Sequence, residues 1–232
     1  MAHSFGPAAN ASLIEDYERN NHFFHKKSGR HYQTFRRDGR VYQRRYELDS
    51  HGRESNVFER EATFAIGSGH HARTFLHRAN SGELTQLPIT WYTEEGRWGM
   101  SPGYDNAAPA DFTRLADESC LFCHNRYPAP GAAQPEGIDC QRCHGPGSRH
   151  VALASGGKAP KQEIRSAIVN PAHLSPERQM DVCMQCHLET TSAELPGTVR
   201  RFERDPFSFR PGEPLARISH QLLAKGRPSW HN

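Results

Sequence analysis

One five-residue pattern occurs three times in this chain and accounts for every cysteine. The pattern is C-x-x-C-H, and its copies lie at 120–124, 140–144 and 183–187. The spacing puts two thiols three residues apart and an imidazole directly after the second thiol. Any fold of this chain must bring six thiols and three histidines to whatever they bind, and this requirement constrains the chain more than any other feature.

Two thiols at this spacing can reach the two vinyl groups on one edge of a porphyrin and form thioether bonds. The following histidine then lies under the iron and supplies an axial nitrogen. The pattern is therefore typical of covalently attached c-type haem. We predict three covalent haem c groups, with thioethers at Cys120, Cys123, Cys140, Cys143, Cys183 and Cys186 and proximal ligands at His124, His144 and His187.

Two other interpretations use the same cysteines. The sixteen residues between Cys123 and Cys140 match the spacing of a four-cysteine zinc site, so a structural zinc-binding protein is one alternative. Six is also an even number and would allow three disulfides. Neither interpretation explains why a histidine follows the second cysteine of every copy, and zinc leaves the third copy without a partner pair.

Histidine is unusually frequent, with 15 residues in 232, and three of these are the proximal candidates. A six-coordinate haem needs a second axial ligand, and neutral imidazole is a common one. His150 is the strongest candidate, because the turn Gly145-Pro146-Gly147 carries it away from His144 and towards another iron. The other distal candidates are His71, His70, His77, His173 and His220, with His22, His25 and His31 as weaker ones.

The chain is poor in apolar residues for its length. They make up 35% of the residues, and the mean hydropathy is −0.81. Three porphyrins would add a large apolar surface that this count omits. We therefore predict that the cysteine-containing region does not fold without its cofactor, as small metal-binding domains do not.

Charge and hydropathy exclude some partners and indicate a compartment. The net charge is +3 with both signs interspersed, which does not favour nucleic acid as a partner. We find no membrane-spanning apolar run and no signal peptide in this segment. Because haem c is attached outside the bacterial cytoplasm, we expect a periplasmic or extracellular protein and a segment of a longer chain.

The residue patterns predict an α+β fold with little regular secondary structure. Residues 1–110 are expected to form a β-containing cap with antiparallel hairpins, one of them turning at Asp38-Gly39. Residues 111–190 are expected to form a mainly helical or loop-rich three-haem core, with a helix capped by Ser175. Residues 191–232 are expected to be an arginine-rich segment with a short helix over 215–225. A further helix over 72–78 would place His70 and His77 on one face.

Several longer stretches resemble a known family. The runs C-Q-R-C-H-G-P-G-S-R-H and V-C-M-Q-C-H-L resemble bacterial multihaem c-type cytochromes with doubled C-x-x-C-H motifs, similar to the tetrahaem electron carrier of ammonia oxidisers. Other stretches are similar to a multihaem subfamily often fused to tetratricopeptide repeats. These stretches are I-G-S-G-H-H-A-R-T-F-L, P-I-T-W-Y, S-P-G-Y-D, I-V-N-P-A and F-R-P-G-E-P-L, at 66–76, 88–92, 101–105, 168–172 and 209–215.

The resemblance implies haem c cofactors, export and electron transfer, with His150 as a distal ligand. It also implies further haem or repeat domains in the full-length chain. We therefore expect a multihaem cytochrome module that passes single electrons between redox protein partners, and we favour a carrier over an enzyme. The alternatives are an oxidoreductase acting on a small nitrogen or sulfur oxyanion at one open-site haem, and a structural unit of a larger cytochrome assembly.

Overall fold

The computed structural model describes residues 5–10, 14–127, 137–186, 198–200, 207–215 and 219–221. Within these ranges the chain divides into two compact units. The first unit runs to His124, and the second comprises most of the chain after it. None of the helices in the described ranges has the length and apolar content needed to span a bilayer.

The first unit is built from two antiparallel sheets. One sheet has four strands in the order β2-β3-β4-β5, and the other has the order β1-β6-β7-β9-β10, with β8 also paired to β7. The strands are β1 (Phe5–Pro7), β2 (His22–His25), β3 (Arg30–Arg37), β4 (Arg40–Leu48), β5 (Glu54–Ala62), β6 (Phe64–Ile66), β7 (Ala72–Arg78), β8 (Leu84–Gln86), β9 (Ile89–Tyr92) and β10 (Arg97–Met100).

The hairpin predicted at Asp38-Gly39 is confirmed. It joins β3 to β4, and both turn residues have positive φ, 52° and 74°, as a two-residue turn of this kind requires. After β5 the chain passes from the four-stranded sheet to the six-stranded sheet at Thr63, which separates β5 from β6.

The two sheets enclose a common aromatic core. Tyr32 and Val41 of the four-stranded sheet pack in one cluster with Phe75, Ile89 and Trp98 of the six-stranded sheet. Their side chains are almost fully buried, because successive strand residues alternate between the core face and the outer face. Burial of this much aromatic and aliphatic surface supplies the main stabilisation of the first unit.

A buried side-chain amide joins the two sheets. Nε2 of Gln43 donates to the backbone oxygen of Ile89 at 2.8 Å, and Oε1 of Gln43 accepts from the Ile89 amide at 2.9 Å. The Gln43 side chain therefore satisfies both backbone groups of one residue in the opposite sheet. A second buried polar pair, Arg73 Nη1 with Glu15 Oε1 at 2.8 Å, holds the segment before β2 against β7.

The second unit has only short elements in its described residues. They are α2 (Gln141–His144), α3 (Ser148–Ser155), α4 (Lys161–Ser166) and α5 (Pro176–Met184), a 3-10 turn at Pro171–His173, and the paired strands β11 (Thr198–Arg200) and β12 (Ser219–Gln221). Its buried hydrophobic side chains in the described ranges are Val182, Phe209 and Leu215. This is a small apolar core for the part of the unit that the structure describes.

The expected α+β fold with a mainly helical multihaem core is wrong. The described residues form twelve strands, ten of them in two antiparallel sheets, and few helices. Among those residues, α1 (Glu118–His124) is the one α-helix of the first unit. Strand patterning extends through Met100, which makes the sheets the larger part of the structure. The helices near the cysteines are interrupted early, since Gly145-Pro146-Gly147 ends α2 after one turn.

The helix considered over 72–78 is a strand, the helix predicted over 215–225 is wrong, and the helix predicted after Ser175 is confirmed. Residues 72–78 form strand β7, in which Arg73 and Phe75 are buried on one face at a spacing of two. Within the predicted helix over 215–225, residues 219–221 form strand β12. The helix predicted after Ser175 is α5, and the Ser175 side chain accepts from the Arg178 amide as an N-cap.

Candidate haem attachment sites

The second C-x-x-C-H motif forms a single helical turn. Cys140 caps α2, and the amides of Cys143 and His144 donate to the Cys140 oxygen at 3.2 and 2.9 Å. Side chains three and four positions apart on a helical turn lie on the same side. The two thiols and the imidazole are therefore presented together, as thioether formation along one porphyrin edge requires.

Val169 holds both the imidazole and the backbone of His144, each through one hydrogen bond. Nδ1 of His144 lies 2.9 Å from the Val169 oxygen, and the Val169 amide donates to the His144 oxygen at 3.1 Å. A carbonyl oxygen can only accept, so Nδ1 carries the proton and Nε2 keeps its lone pair. A carbonyl bonded to the far nitrogen is the usual way in which a protein orients a metal-binding histidine.

Gly145 ends this helical turn directly after His144. Gly145 has φ of 76°, a value that side chains disfavour, and its amide donates to the Gln141 oxygen at 2.8 Å. Pro146 cannot continue the helix, and α3 begins at Ser148. The chain thus leaves His144 in a new direction, and the side chain of His144 is not covered by a continuing helix.

The third motif lies beside the second within the same unit. Nε2 of Gln185 donates to the Arg142 oxygen at 2.9 Å, and Nη2 of Arg142 lies 3.7 Å from Sγ of Cys186. Burial raises the pKa of the Cys143 thiol, and the nearby Cys183 and Cys186 thiols raise it further. Two haems attached at these motifs would therefore be neighbours, since their cysteines are close to each other.

The first motif lies on α1 of the first unit. Cys120 and Leu121 pack against an apolar patch on the six-stranded sheet that includes Phe64 and Leu76. His77 follows Leu76 in β7 and therefore faces the other side of the sheet, where its Nδ1 lies 2.9 Å from the Glu61 oxygen. The structure does not bring His77 to the first motif.

His150, the distal candidate in α3, has the same hydrogen-bonded form as His144. Its Nδ1 lies 2.8 Å from the Ile164 oxygen, so Nε2 is again the nitrogen with the lone pair. The side chain is half-buried. The prediction that His150 serves an iron other than the one at His144 stays a prediction.

The other distal candidates lie in varied surroundings. His71 is 84% exposed, and its Nδ1 lies 2.6 Å from Oε1 of Glu94. His70 and His173 are exposed, His173 in the 3-10 turn that precedes α5. His220 lies in the backbone of β12, its side chain is outside the described part, and the proximal candidate His187 is outside the described residues altogether.

The weaker candidates near the N-terminus are engaged with each other or with neighbours. Both ring nitrogens of His25 are taken, Nδ1 by the Ser28 hydroxyl at 2.8 Å and Nε2 by Asp105 Oδ1 at 3.0 Å. His22 and His31 stack with their rings nearly parallel, and Nε2 of His22 lies 3.2 Å from Nδ1 of His31. Ligation of an iron by His25 would require the loss of one of these two hydrogen bonds.

The sequence reasoning missed the groups that hold the motifs in place. Val169 and Ile164 act through backbone oxygens, which no residue type reveals. Arg142 and Gln185 each lie between the two cysteines of a motif. The sequence could have drawn attention to Arg142, because it is a charged residue inside a motif that is predicted to bind a cofactor. The described residues contain no group of three or more His, Cys, Asp or Glu side chains arranged to hold a metal ion.

The comparisons with known proteins give no match. No protein family model matches the chain, and neither a curated protein nor a solved structure resembles it significantly. The thiols of Cys140 and Cys143, the helical turn between them and the carbonyl-bound His144 fit a covalently attached haem. The geometry of this site is the basis of the functional argument.

Proposed function

We propose that the chain is a multihaem c-type cytochrome module that transfers single electrons through three covalently bound haems. The observation that supports this most strongly is the pairing of His144 with Val169. It leaves Nε2 as the available nitrogen, directly after two cysteines on one helical turn. A zinc or disulfide role for the cysteines does not require this orientation of the histidine.

Each part of the site has a separate task in this proposal. The two cysteines of each motif attach the porphyrin, and the histidine after them supplies an axial nitrogen. The Val169 oxygen holds the His144 ring and increases the basicity of Nε2. The bound haem supplies a one-electron couple, and the protein adjusts its potential through the axial ligands, hydrogen bonds and burial.

The arrangement of the second and third motifs supports transfer between haems. Their cysteines belong to one unit, and Arg142 and Gln185 connect them directly. Haems attached there would form neighbouring steps of an electron path. We propose that redox proteins act as donor and acceptor and that the module works in the periplasm or outside the cell, where haem c is attached.

The test is expression of the chain behind an export signal in a host with haem c maturation. Intact mass and the pyridine haemochrome spectrum count the covalent haems, and electron paramagnetic resonance of the oxidised protein reports their ligation. Three haems with low-spin signals are expected. Zinc bound to the cysteines in place of haem would contradict the proposal, and three haems with one high-spin iron would favour the oxidoreductase alternative.

A matched pair of variants tests whether the second motif carries one of the counted haems. Cys140→Ala with Cys143→Ala should reduce the count from three haems to two. The control is Ser148→Ala with Ser155→Ala, which changes two residues of α3 outside the motifs and should leave three haems. Retention of all three haems by the cysteine variant would show that this motif does not carry one.

A further inference from the structure

Arg142 stands between the two cysteines of the second motif, yet its side chain extends to the third. We propose that its guanidinium raises the reduction potential of the haem attached at Cys183 and Cys186. This inference rests on the proposed haem attachment and adds a tuning residue to it.

The side chain is buried and enclosed by aromatic rings. Arg142 is 1% exposed, and its guanidinium carbon lies 5.0 Å from the centre of the Tyr127 ring and 5.3 Å from that of Phe207. Tyr127 is itself held by its hydroxyl, which donates to the Phe209 oxygen at 2.7 Å. A guanidinium keeps its charge under these conditions, so a permanent positive charge is held in a region of low dielectric.

The guanidinium of Arg142 lies beside the third motif and is shielded from solvent. Nη2 of Arg142 is 3.7 Å from Sγ of Cys186, the sulfur that would carry a thioether bond to the haem. The Arg142 main chain is fixed at the same place, since its oxygen accepts from Nε2 of Gln185 at 2.9 Å. Both contacts connect the residue to the motif that follows it by about forty positions in the chain.

The sign of the effect follows from electrostatics. Reduction of a ferric haem adds one electron and removes one unit of positive charge from the site. A fixed cation nearby favours that loss, and it acts more strongly where water does not screen it. The haem at the third motif should therefore be easier to reduce than it would be without Arg142.

The chain offers a matched control at the same ring. The guanidinium carbon of Arg210 also lies 5.0 Å from the Tyr127 ring centre, but its side chain is exposed to solvent. Removing the exposed charge should change the potentials much less, because water screens it. The two arginines share an aromatic partner and differ in burial and in the contact with Cys186.

The experiment is a spectroelectrochemical titration of the haem-loaded chain. Arg142→Gln should shift one of the three one-electron steps to a more negative potential, whereas Arg142→Lys should shift it less and Arg210→Gln least. In a Cys183→Ala, Cys186→Ala background, Arg142→Gln should no longer produce the shift. Arg142→Met, which keeps an apolar stem between the rings, replaces Arg142→Gln if the latter does not load haem.

The outcomes separate this inference from the proposed function. A wild-type chain without covalent haem contradicts the proposed function itself. Three haems with unchanged potentials in Arg142→Gln or Arg142→Met overturn the inference alone. A shift that persists in the background lacking the third motif, or equal shifts in the glutamine and lysine variants, also overturns it, because the effect would then come from the second haem or from packing.

Discussion

The two units of this chain bury apolar surface in different ways. In the first unit, two antiparallel sheets enclose a continuous cluster of side chains such as Phe75, Ile89 and Trp98. In the second unit the buried hydrophobics among the described residues are Val182, Phe209 and Leu215. The second unit nevertheless carries two of the three C-x-x-C-H motifs.

Under the proposed function, the attached haems would form part of the apolar core of the second unit. In the first unit, strand pairing satisfies the backbone hydrogen bonds and aromatic side chains fill the core, as in an ordinary β-protein. In the second unit, the described helices are short, Cys140 and Cys183 are exposed, and Cys143 and Cys186 are half-buried. A porphyrin attached at these cysteines would supply the missing apolar surface, so attachment and folding should be coupled there.

The largest expected effect comes from removing one attachment site of the second unit. Cys183→Ala with Cys186→Ala should lose one haem and make the second unit sensitive to limited proteolysis, because the porphyrin no longer covers its apolar neighbours. The first unit should remain resistant. Equal resistance of both units to proteolysis in this variant would contradict the proposed difference between them.

Truncation of a core side chain in the first unit should destabilise the first unit instead of the second. Phe75 is 0% exposed, and Phe75→Ala should reduce the free energy of unfolding of this unit by about 3–5 kcal/mol through lost burial and a cavity. Denaturant unfolding followed by tryptophan fluorescence measures the change.

The control for this deletion is Phe24→Ala, at a ring that is 54% exposed on the outer face of β2. It should change stability by no more than about 0.5 kcal/mol. The two haems of the second unit should be retained in both variants, and loss of more than one haem in Phe75→Ala would mean that the units do not fold separately.

A smaller effect is expected at the amide that joins the sheets. Gln43→Leu removes both hydrogen bonds to Ile89 and leaves its backbone groups buried without partners, at a cost of about 1–3 kcal/mol. Gln33→Leu, on the half-exposed outer face of the same sheet, is the control. A Gln43→Leu protein as stable as the wild type would show that this pair contributes little to sheet packing.

The smallest effect concerns pH. Burial lowers the pKa of His22, and the neighbouring His31 and Arg44 lower it further, whereas Glu54 acts in the opposite direction. As the pH falls below about 6.5, the unfolded chain takes up this proton before the folded chain does, so the stability of the first unit decreases. The loss should stay below about 1 kcal/mol, since the pair is near solvent.

Comparison of unfolding free energies at pH 7 and pH 5 tests this, with His22→Gln as the variant. The variant should lose less stability on acidification than the wild type. An identical pH dependence in both proteins would show that the stacked pair of His22 and His31 does not contribute to it. His51, an exposed histidine in the turn after β4, provides the control substitution His51→Gln.

Local signals in the sequence were reliable where local geometry decides the structure. The Asp38-Gly39 turn and the Ser175 cap depend on residues within four positions, and both were predicted correctly. The strand over Ala72–Arg78 was missed, because its register depends on pairing with β6 and β9. The hydrogen bond between His144 and Val169 spans twenty-five positions through a backbone oxygen, so no local pattern could reveal it.

The most direct test of this account is hydrogen–deuterium exchange on two forms of the same chain. One form carries its haems, and the other has alanine at all six cysteines and carries none. We predict that the first-unit strands are equally protected in both forms, whereas α2, α3 and α5 of the second unit are protected only in the haem-loaded form. Equal protection of these helices without haem would contradict the claim that the cofactor forms their core.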